Sequence, residues 1–161
     1  MPRDEPTTYN ILFVCTGNTC RSPMAEAIAR RELEQRGWHH VSVDSAGTSA
    51  AWDAPVSEGS LQTAAEIGLD LSGHRSQPLS RELIERADII LGMTINHVEA
   101  VQALGETDKV ALVSEFIEGP EAGEPINDPI GGPLEDYAEM RDRIQHAVEG
   151  LLDRLAAILA P

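Results

Sequence analysis

The sequence predicts an α/β fold: a four-stranded parallel sheet in a three-layer arrangement, with helices on both faces. Three observations predict it. Short apolar runs of strand length alternate with helical segments along the chain, the pattern of strand–helix–strand units. Apolar residues make up 42% of the 161 residues and aromatic residues only 4%, so the core is aliphatic and large enough for one domain. The first strand runs straight into a loop rich in polar chemistry, at the carboxyl end where open parallel sheets bind ligands.

Residues 1–8 contain Pro2 and Pro6 among polar residues and are expected to form a flexible lead-in, leaving 9–161 as a single domain. Tyr9 to Cys15 is a compact apolar run and predicts the first strand. Thr16 to Thr19 is loop chemistry. Pro23 suits the first turn of a helix, Met24 to Arg36 is rich in Ala, Glu and Arg, and Gly37 can end that helix. Val41 to Ser45 alternates as a second strand. Ser57 to Ile67 reads as a helix closed by Gly68. Ser80 to Ala87 reads as another, with Ser80 as N-cap and Glu82 in the first turn. Asp88 to Gly92 is a short buried strand, Ile95 to Leu104 a helix, and Lys109 to Val113 a fourth strand. Glu118 to Pro133, rich in proline and glycine, is a long loop of the kind that carries function. Leu134 to Leu159 is a final helix with Tyr137, Met140, Ile144, Val148, Leu151, Leu155 and Ile158 on one apolar stripe.

Charge removes several function classes. The 27 acidic residues against 12 basic ones give a formal charge of −15. Such a surface repels nucleic acid and anionic membranes, which select for Lys and Arg. No apolar run reaches the about 20 residues that a membrane-spanning helix needs. Met1 to Asn10 lacks the apolar stretch of a secretory signal, so a cytoplasmic location is expected. Two cysteines make neither a disulfide scaffold nor a four-cysteine zinc site, and no metal or cofactor is implied.

The loop after the first strand reads Cys15-Thr16-Gly17-Asn18-Thr19-Cys20-Arg21-Ser22. A curl of this length between strand and helix can turn successive backbone N–H groups inward as an anion nest. The helix adds its own free N–H groups and the positive end of its dipole. Gly17 and Asn18 tolerate left-handed backbone angles, which a tight curl requires. Arg21 can grip two oxygens of a tetrahedral anion in a bidentate fork. Cys15, at the bottom of this cup, is surrounded by donors that favour a reactive thiolate, and Ser22 can donate to it. Thr16, Gly17, Asn18, Thr19, Cys20 and Ser22 are therefore candidate phosphate-binding positions.

Cys15 to Glu26, CTGNTCRSPMAE, resembles the signature of the low-molecular-weight protein tyrosine phosphatases and of their arginine-phosphatase relatives. The resemblance extends over nearly the whole chain. Asp44 to Thr48 resembles the family's segment after the second strand, His74 lies where the family has a loop histidine, and Asp128-Pro129 resembles its general-acid motif. The resemblance implies a flavodoxin-like fold and a cysteine-dependent protein phosphatase without cofactor, holding phosphate or a similar oxyanion in the loop and acting as a monomer on phosphorylated proteins. Cys15 would attack phosphorus and form a phosphocysteine, Arg21 would stabilise the developing charge, and Asp128 would serve as acid and then base. Ser45 and His74, with Asn18, match a network that supports the loop. The resemblance also suggests that Cys20 can form a protective disulfide with Cys15 under oxidation.

Three details favour phosphoarginine over phosphotyrosine as the substrate. Thr16 follows the nucleophile, where tyrosine phosphatases resembling this chain carry a larger aliphatic residue, and its hydroxyl is expected to suit a polar guanidinium. Asp128-Pro129-Ile130-Gly131-Gly132 resembles the arginine-phosphatase pattern, although Ile130 stands where an aromatic residue is expected. Met93-Thr94 and His97 match the same pattern after the third strand. With Ile130 aliphatic, Trp52 is the expected aromatic wall of the cleft. The alternatives are a tyrosine phosphatase and a redox-sensing or phosphate-binding module. A thioredoxin-coupled arsenate reductase would need further cysteines, and none follows Cys20.

Overall fold

The computed structural model describes residues 9–161; the lead-in expected for residues 1–8 lies outside the described residues. The chain runs β1 (Tyr9–Cys15), α1 (Arg21–Arg36), β2 (Val41–Gly47), α2 (Glu58–Ala65), α3 (Arg81–Arg86), β3 (Ile89–Gly92), α4 (Ile95–Gly105), β4 (Val110–Leu112) and α5 (Leu134–Leu159). The four strands form one parallel sheet in the order β2-β1-β3-β4. The chain leaves β1 toward β2 on one side and returns across it to β3 on the other. The strand order therefore reverses beside β1, and the loop after β1 opens at this switch point.

Strand alternation sorts the core into two faces. Ile11, Phe13 and Cys15 of β1 face a cluster with Met24 and Ile28 of α1 and Ile144, Val148 and Leu151 of α5. Leu12 and Val14 face the other way, onto Ile84, Ile90 and Val101 beneath α3 and α4. Successive strand side chains point to opposite faces, so a central strand covered on both sides must be apolar at every position, as the ILFV run of β1 is. No helix among the described residues is long and apolar enough to cross a membrane.

Element ends differ from the sequence expectation where the site is built. Helix α1 begins at Arg21 rather than Met24, because the last residues of the loop already wind into its first turn. Pro23 sits in that turn, where a missing N–H costs nothing. Strand β2 extends to Gly47, since its last residues pair with the end of β1. Strand β4 covers only Val110–Leu112, as Val113 opens a 3₁₀ turn at Val113–Phe116. Ser80 caps α3 as expected, its side chain accepting the N–H of Leu83 at 3.2 Å. On α5 the expected stripe is corrected at its end: Ile158 is 74% exposed, and Leu159 is buried in its place. Spacings of three and four from Leu155 allow either residue, and Leu159 also lies seven beyond buried Leu152.

Helix α5 closes the face of the sheet that carries Cys15, so its packing should govern global stability. Ile144 is fully buried in that cluster, and Ile144→Ala is expected to cost about 2–5 kcal/mol, read from the urea midpoint at an unchanged slope. A loss below 0.5 kcal/mol would show that α5 docks only loosely (a surface-like response, by order of magnitude).

Candidate active site

Only residues 16–20 separate the end of β1 from the start of α1, so the backbone must curl sharply between them. Asn18 takes the turn in the left-handed region at φ 57°, a conformation that Asn tolerates better than most residues. What holds the curl is the direction of its carbonyls. The carbonyl of Cys15 accepts the N–H of Thr48 at 2.9 Å, and that of Thr16 the N–H of Ser49 at 2.9 Å. His74 Nε2 donates to the carbonyl of Asn18 at 2.8 Å. Ser57 N–H donates to the carbonyl of Thr19 at 2.8 Å, and Met24 N–H to that of Cys20 at 3.4 Å. In a trans peptide the N–H points opposite to the C=O, and no bond here is cis. Five carbonyls drawn outward therefore turn the N–H groups of Thr16, Gly17, Thr19, Cys20 and Arg21 toward the inside of the loop. Gly47 lets the loop lie this close: a Cβ there would come within 2.4 Å of the Thr16 carbonyl oxygen and 2.9 Å of the Asn18 nitrogen.

Below the loop a chain of hydrogen bonds ends on Cys15. Asn18 is fully buried and spends its whole amide on the structure. Its Nδ2 donates to Ser22 Oγ at 2.8 Å and to Ser45 Oγ at 2.9 Å, and its Oδ1 accepts the N–H of Gln77 at 2.9 Å. Ser45 passes its proton to Glu26 Oε1 at 2.5 Å, and Glu26 pairs with Arg30. Ser22, already an acceptor from Asn18, has its own proton for Cys15 Sγ, 3.0 Å away. The arrangement leaves the sulfur as the acceptor of the Ser22 proton.

Arg21, 4% exposed, lies at the first position of α1. Its Nη1 donates to the carbonyl of Ile126 at 2.9 Å, which fixes one corner of the guanidinium. Nε is buried and has no protein partner, and Nη2 makes only a long contact of 3.5 Å to Thr16 Oγ1 and a separation of 3.7 Å to Asp128 Oδ2. The Nε–Nη2 edge has the shape of a fork that can hold two oxygens of a tetrahedral anion. Asp128 is partly exposed, with Oδ1 accepting the N–H of Ile130 at 3.1 Å in an Asx turn. The long loop thus brings a carboxyl group, and through Ile126 an anchor for the arginine, to the end of the sheet.

His97, buried in the first turn of α4, reaches the same place from the other side. Its Nδ1 accepts the backbone N–H of Thr94 at 3.1 Å, and its Nε2 lies 2.9 Å from Thr16 Oγ1. Burial first, and then the Arg21 guanidinium, push the imidazole down to about 4, with Asp128 opposing. His97 is therefore neutral near pH 7. Thr16 was expected to suit a guanidinium, but its oxygen already faces His97 and the cationic Arg21.

Most sequence-predicted residues come together: Cys15, Thr16, Asn18, Arg21, Ser22, Ser45, His74 and Asp128 join one network. Gly17 and Thr19 lie on the curl. Cys20 is buried with its thiol 2.9 Å from Ser57 Oγ, and burial pushes that thiol up. Both cysteines are free thiols. Trp52 is 70% exposed, in the segment after β2 whose Ser49 N–H meets the Thr16 carbonyl at 2.9 Å. Gln77, Ile126 and Ser57 were missed. They act through backbone groups or plain polar side chains, which leave no motif in a sequence. Among the described residues no group of three or more His, Cys, Asp or Glu side chains could hold a metal ion.

The chain is similar to known proteins. The pattern of the low molecular weight phosphotyrosine protein phosphatases matches residues 10–159. A protein-arginine-phosphatase of Geobacillus stearothermophilus is 41% identical over 150 residues, covering 92% of this chain and 94% of its own. The structure of a YwlE arginine phosphatase, a cysteine-to-serine mutant with a phosphorylated active-site serine, superposes with a TM-score of 0.85 at 35% identity, over 92% of this chain and 97% of that one. A low molecular weight protein tyrosine phosphatase from T. tengcongensis superposes with a TM-score of 0.84 at 33% identity, over 92% of this chain and all of that one.

The buried imidazole has a consequence for stability. Its folded value of about 4 lies below the ordinary value of 6.5, so between these pH values the unfolded chain binds a proton that the folded chain does not. Stability from this group is present above pH about 6.5 and declines as pH falls toward about 4, by up to about 1.4 kcal/mol per pH unit. Urea unfolding at pH 7 and at pH 4.5 is expected to show a smaller drop for His97→Asn than for the parent. An equal drop in both would assign the acid sensitivity to other groups.

Proposed function

The chain belongs to the low molecular weight phosphotyrosine protein phosphatase family, and on that premise we propose that it hydrolyses phosphoarginine in proteins through a phosphocysteine intermediate. The observation that carries the reading is the convergence of a buried thiol, an arginine fork and a carboxyl group on one loop whose amides turn inward.

The phosphoryl oxygens take the inward N–H groups and the Nε–Nη2 edge of Arg21, with the dipole of α1 adding to the positive field. Cys15 Sγ attacks phosphorus opposite the leaving nitrogen. The S–P bond forms as the P–N bond breaks, and Asp128 delivers a proton to the departing guanidine. Asp128, now a carboxylate, takes a proton from water as that water attacks the phosphocysteine. The S–P bond then breaks to restore the thiolate, held by Ser22, and to release inorganic phosphate. Gly17, Asn18, Thr19 and Cys20 shape the cup; Ser45 and His74 hold Asn18 and its carbonyl in place.

Three features support arginine as the phosphorylated residue. The relative at 41% identity is named a protein-arginine-phosphatase. Asp128, at the mouth of the cup, can pair with a guanidinium. Ile130, 63% exposed in the same loop, offers no aromatic face to a phenol ring. The formal charge of −15 also suits basic protein segments, in which arginine is common. Phosphotyrosine is the second reading, favoured by Trp52, whose exposed indole can stack on a ring.

Turnover of matched phosphoarginine and phosphotyrosine peptides tests the substrate: kcat/KM is expected to be higher for phosphoarginine, and the reverse order would overturn it. Cys15→Ser should abolish turnover of both, and Asp128→Asn should lower kcat about 10²–10³-fold. Residual activity in Cys15→Ser comparable to the parent would exclude the covalent mechanism.

A further inference from the structure

His97 is not needed for the two-step mechanism, yet it is buried at 3% exposure against the cup. The strand that precedes it makes room for it. A Cβ at Gly92 would come within 3.0 Å of His97 Cβ and 3.2 Å of the Val98 nitrogen, so α4 can start this close to the sheet only above a glycine.

The ring has one arrangement of its proton. Thr94 N–H, which can only donate, points at Nδ1 from 3.1 Å. Nδ1 therefore carries the lone pair and Nε2 the proton. Nε2–H in turn faces Thr16 Oγ1 at 2.9 Å, so the threonine oxygen accepts. Arg21 Nη2, 3.5 Å from the same oxygen, adds a second positive donor. With its acceptor side turned toward two N–H donors, Thr16 has one thing left to offer, its hydroxyl proton. Thr16 itself is exposed, on the curl whose amides point into the cup.

We propose that His97 is a positioning residue that holds Thr16 as a hydrogen-bond donor toward an oxygen of the bound phosphoryl group. The inference rests on the reading that residues 15–22 take that group. In this role His97 never touches substrate. It fixes the polarity of a hydroxyl that would otherwise rotate, and a fixed donor costs no reorganisation when charge develops on the oxygen. A neutral ring is required, because a doubly protonated imidazole would meet the Thr94 N–H with a second donor. The buried position beside Arg21 keeps the ring neutral, with Asp128 the opposing charge. The same placement explains why a threonine beside the nucleophile serves the phosphoryl end of the substrate rather than its cationic end.

The two ring nitrogens can be replaced separately. In His97→Asn the side-chain oxygen takes the place of Nδ1 and keeps the Thr94 bond, but nothing reaches Thr16. In His97→Gln the amide nitrogen reaches the place of Nε2 and can still donate to Thr16. These variants, Thr16→Val and the double variant His97→Asn/Thr16→Val are assayed on para-nitrophenyl phosphate, with inhibition by inorganic phosphate as a second readout. His97→Asn and Thr16→Val are each expected to lower kcat/KM by about tenfold, one hydrogen bond to a charged oxygen. Both should weaken phosphate inhibition, the double variant should be no worse than the poorer single one, and His97→Gln should recover most of the loss. A merely structural His97 would give the same factor in the parent and in the Thr16→Val background, so multiplying factors overturn the proposal. So does a folded His97→Asn with unchanged kinetics, or a His97→Gln no better than Asn. A parent that neither hydrolyses the aryl phosphate nor binds phosphate overturns the phosphatase reading as well.

Discussion

The structure around the loop depends on one constraint: its carbonyl oxygens are drawn outward. A backbone curl can bind an anion only if its amides face the same point, and isolated loops have no reason to hold that shape against their entropy. Here the shape is enforced from outside. The segment after β2 takes the carbonyls of Cys15 and Thr16, His74 takes that of Asn18, and the start of α2 takes that of Thr19. Each of these bonds is modest alone, about 1 kcal/mol. Together they leave the peptide units no other orientation, so the donors stand ready before any anion arrives.

That constraint explains why so much of the chain serves a short loop. The parallel pairing of β1 with β2 ends at Cys15 and Gly47, which delivers the residues after β2 to the loop from one side. Pairing of β1 with β3 delivers the start of α4, and with it His97, from the other. The long loop before α5 passes over the open end and supplies Ile126 and Asp128. The switch point is thus more than a gap between helices. It is the place where segments from both sides of one strand can bond to the same five residues.

How much of this was legible follows from the kind of signal each part leaves. The fold was readable because β1 is apolar at every position and α5 carries a strong stripe. Ile158 went wrong because three- and four-residue spacings are interchangeable over the last turn of a helix, and only packing decides. Cys15, Arg21, Ser22 and Asp128 stood out because the chemistry expected of them depends on side-chain type at a given spacing, and the structure brings them together. Asn18 was readable twice over, as a left-handed residue and as an amide. Gln77, Ser57 and Ile126 were not, since they act through a backbone N–H or carbonyl or through a common hydroxyl, and a sequence does not record where a peptide unit points. Thr16 was singled out from its place beside the nucleophile, and its contact with His97, more than eighty residues away in the chain and 2.9 Å away in space, left no mark in the sequence.

The acidic surface and the cationic cup answer each other. With a formal charge of −15 the protein repels phosphate at long range, so affinity has to come from donors that act at contact. Fixed amides and a helix end do this well, because they carry no net charge to be screened and lose little when water leaves the cup. Arg21 is the charged donor of the site, and it is buried with Nε unpaired and only a distant carboxylate opposite. A buried guanidinium so poorly matched is costly in the free protein. A dianion in the fork would lower that cost, which would make binding of a phosphoryl group more favourable than the same contacts at a relaxed arginine. The carbonyl of Ile126 and the oxygen of Thr16 limit how far Arg21 can relax, and the second of these is held in turn by His97. Preorganisation at this site therefore runs through neutral groups, which is why a neutral imidazole rather than a second cation stands behind the loop.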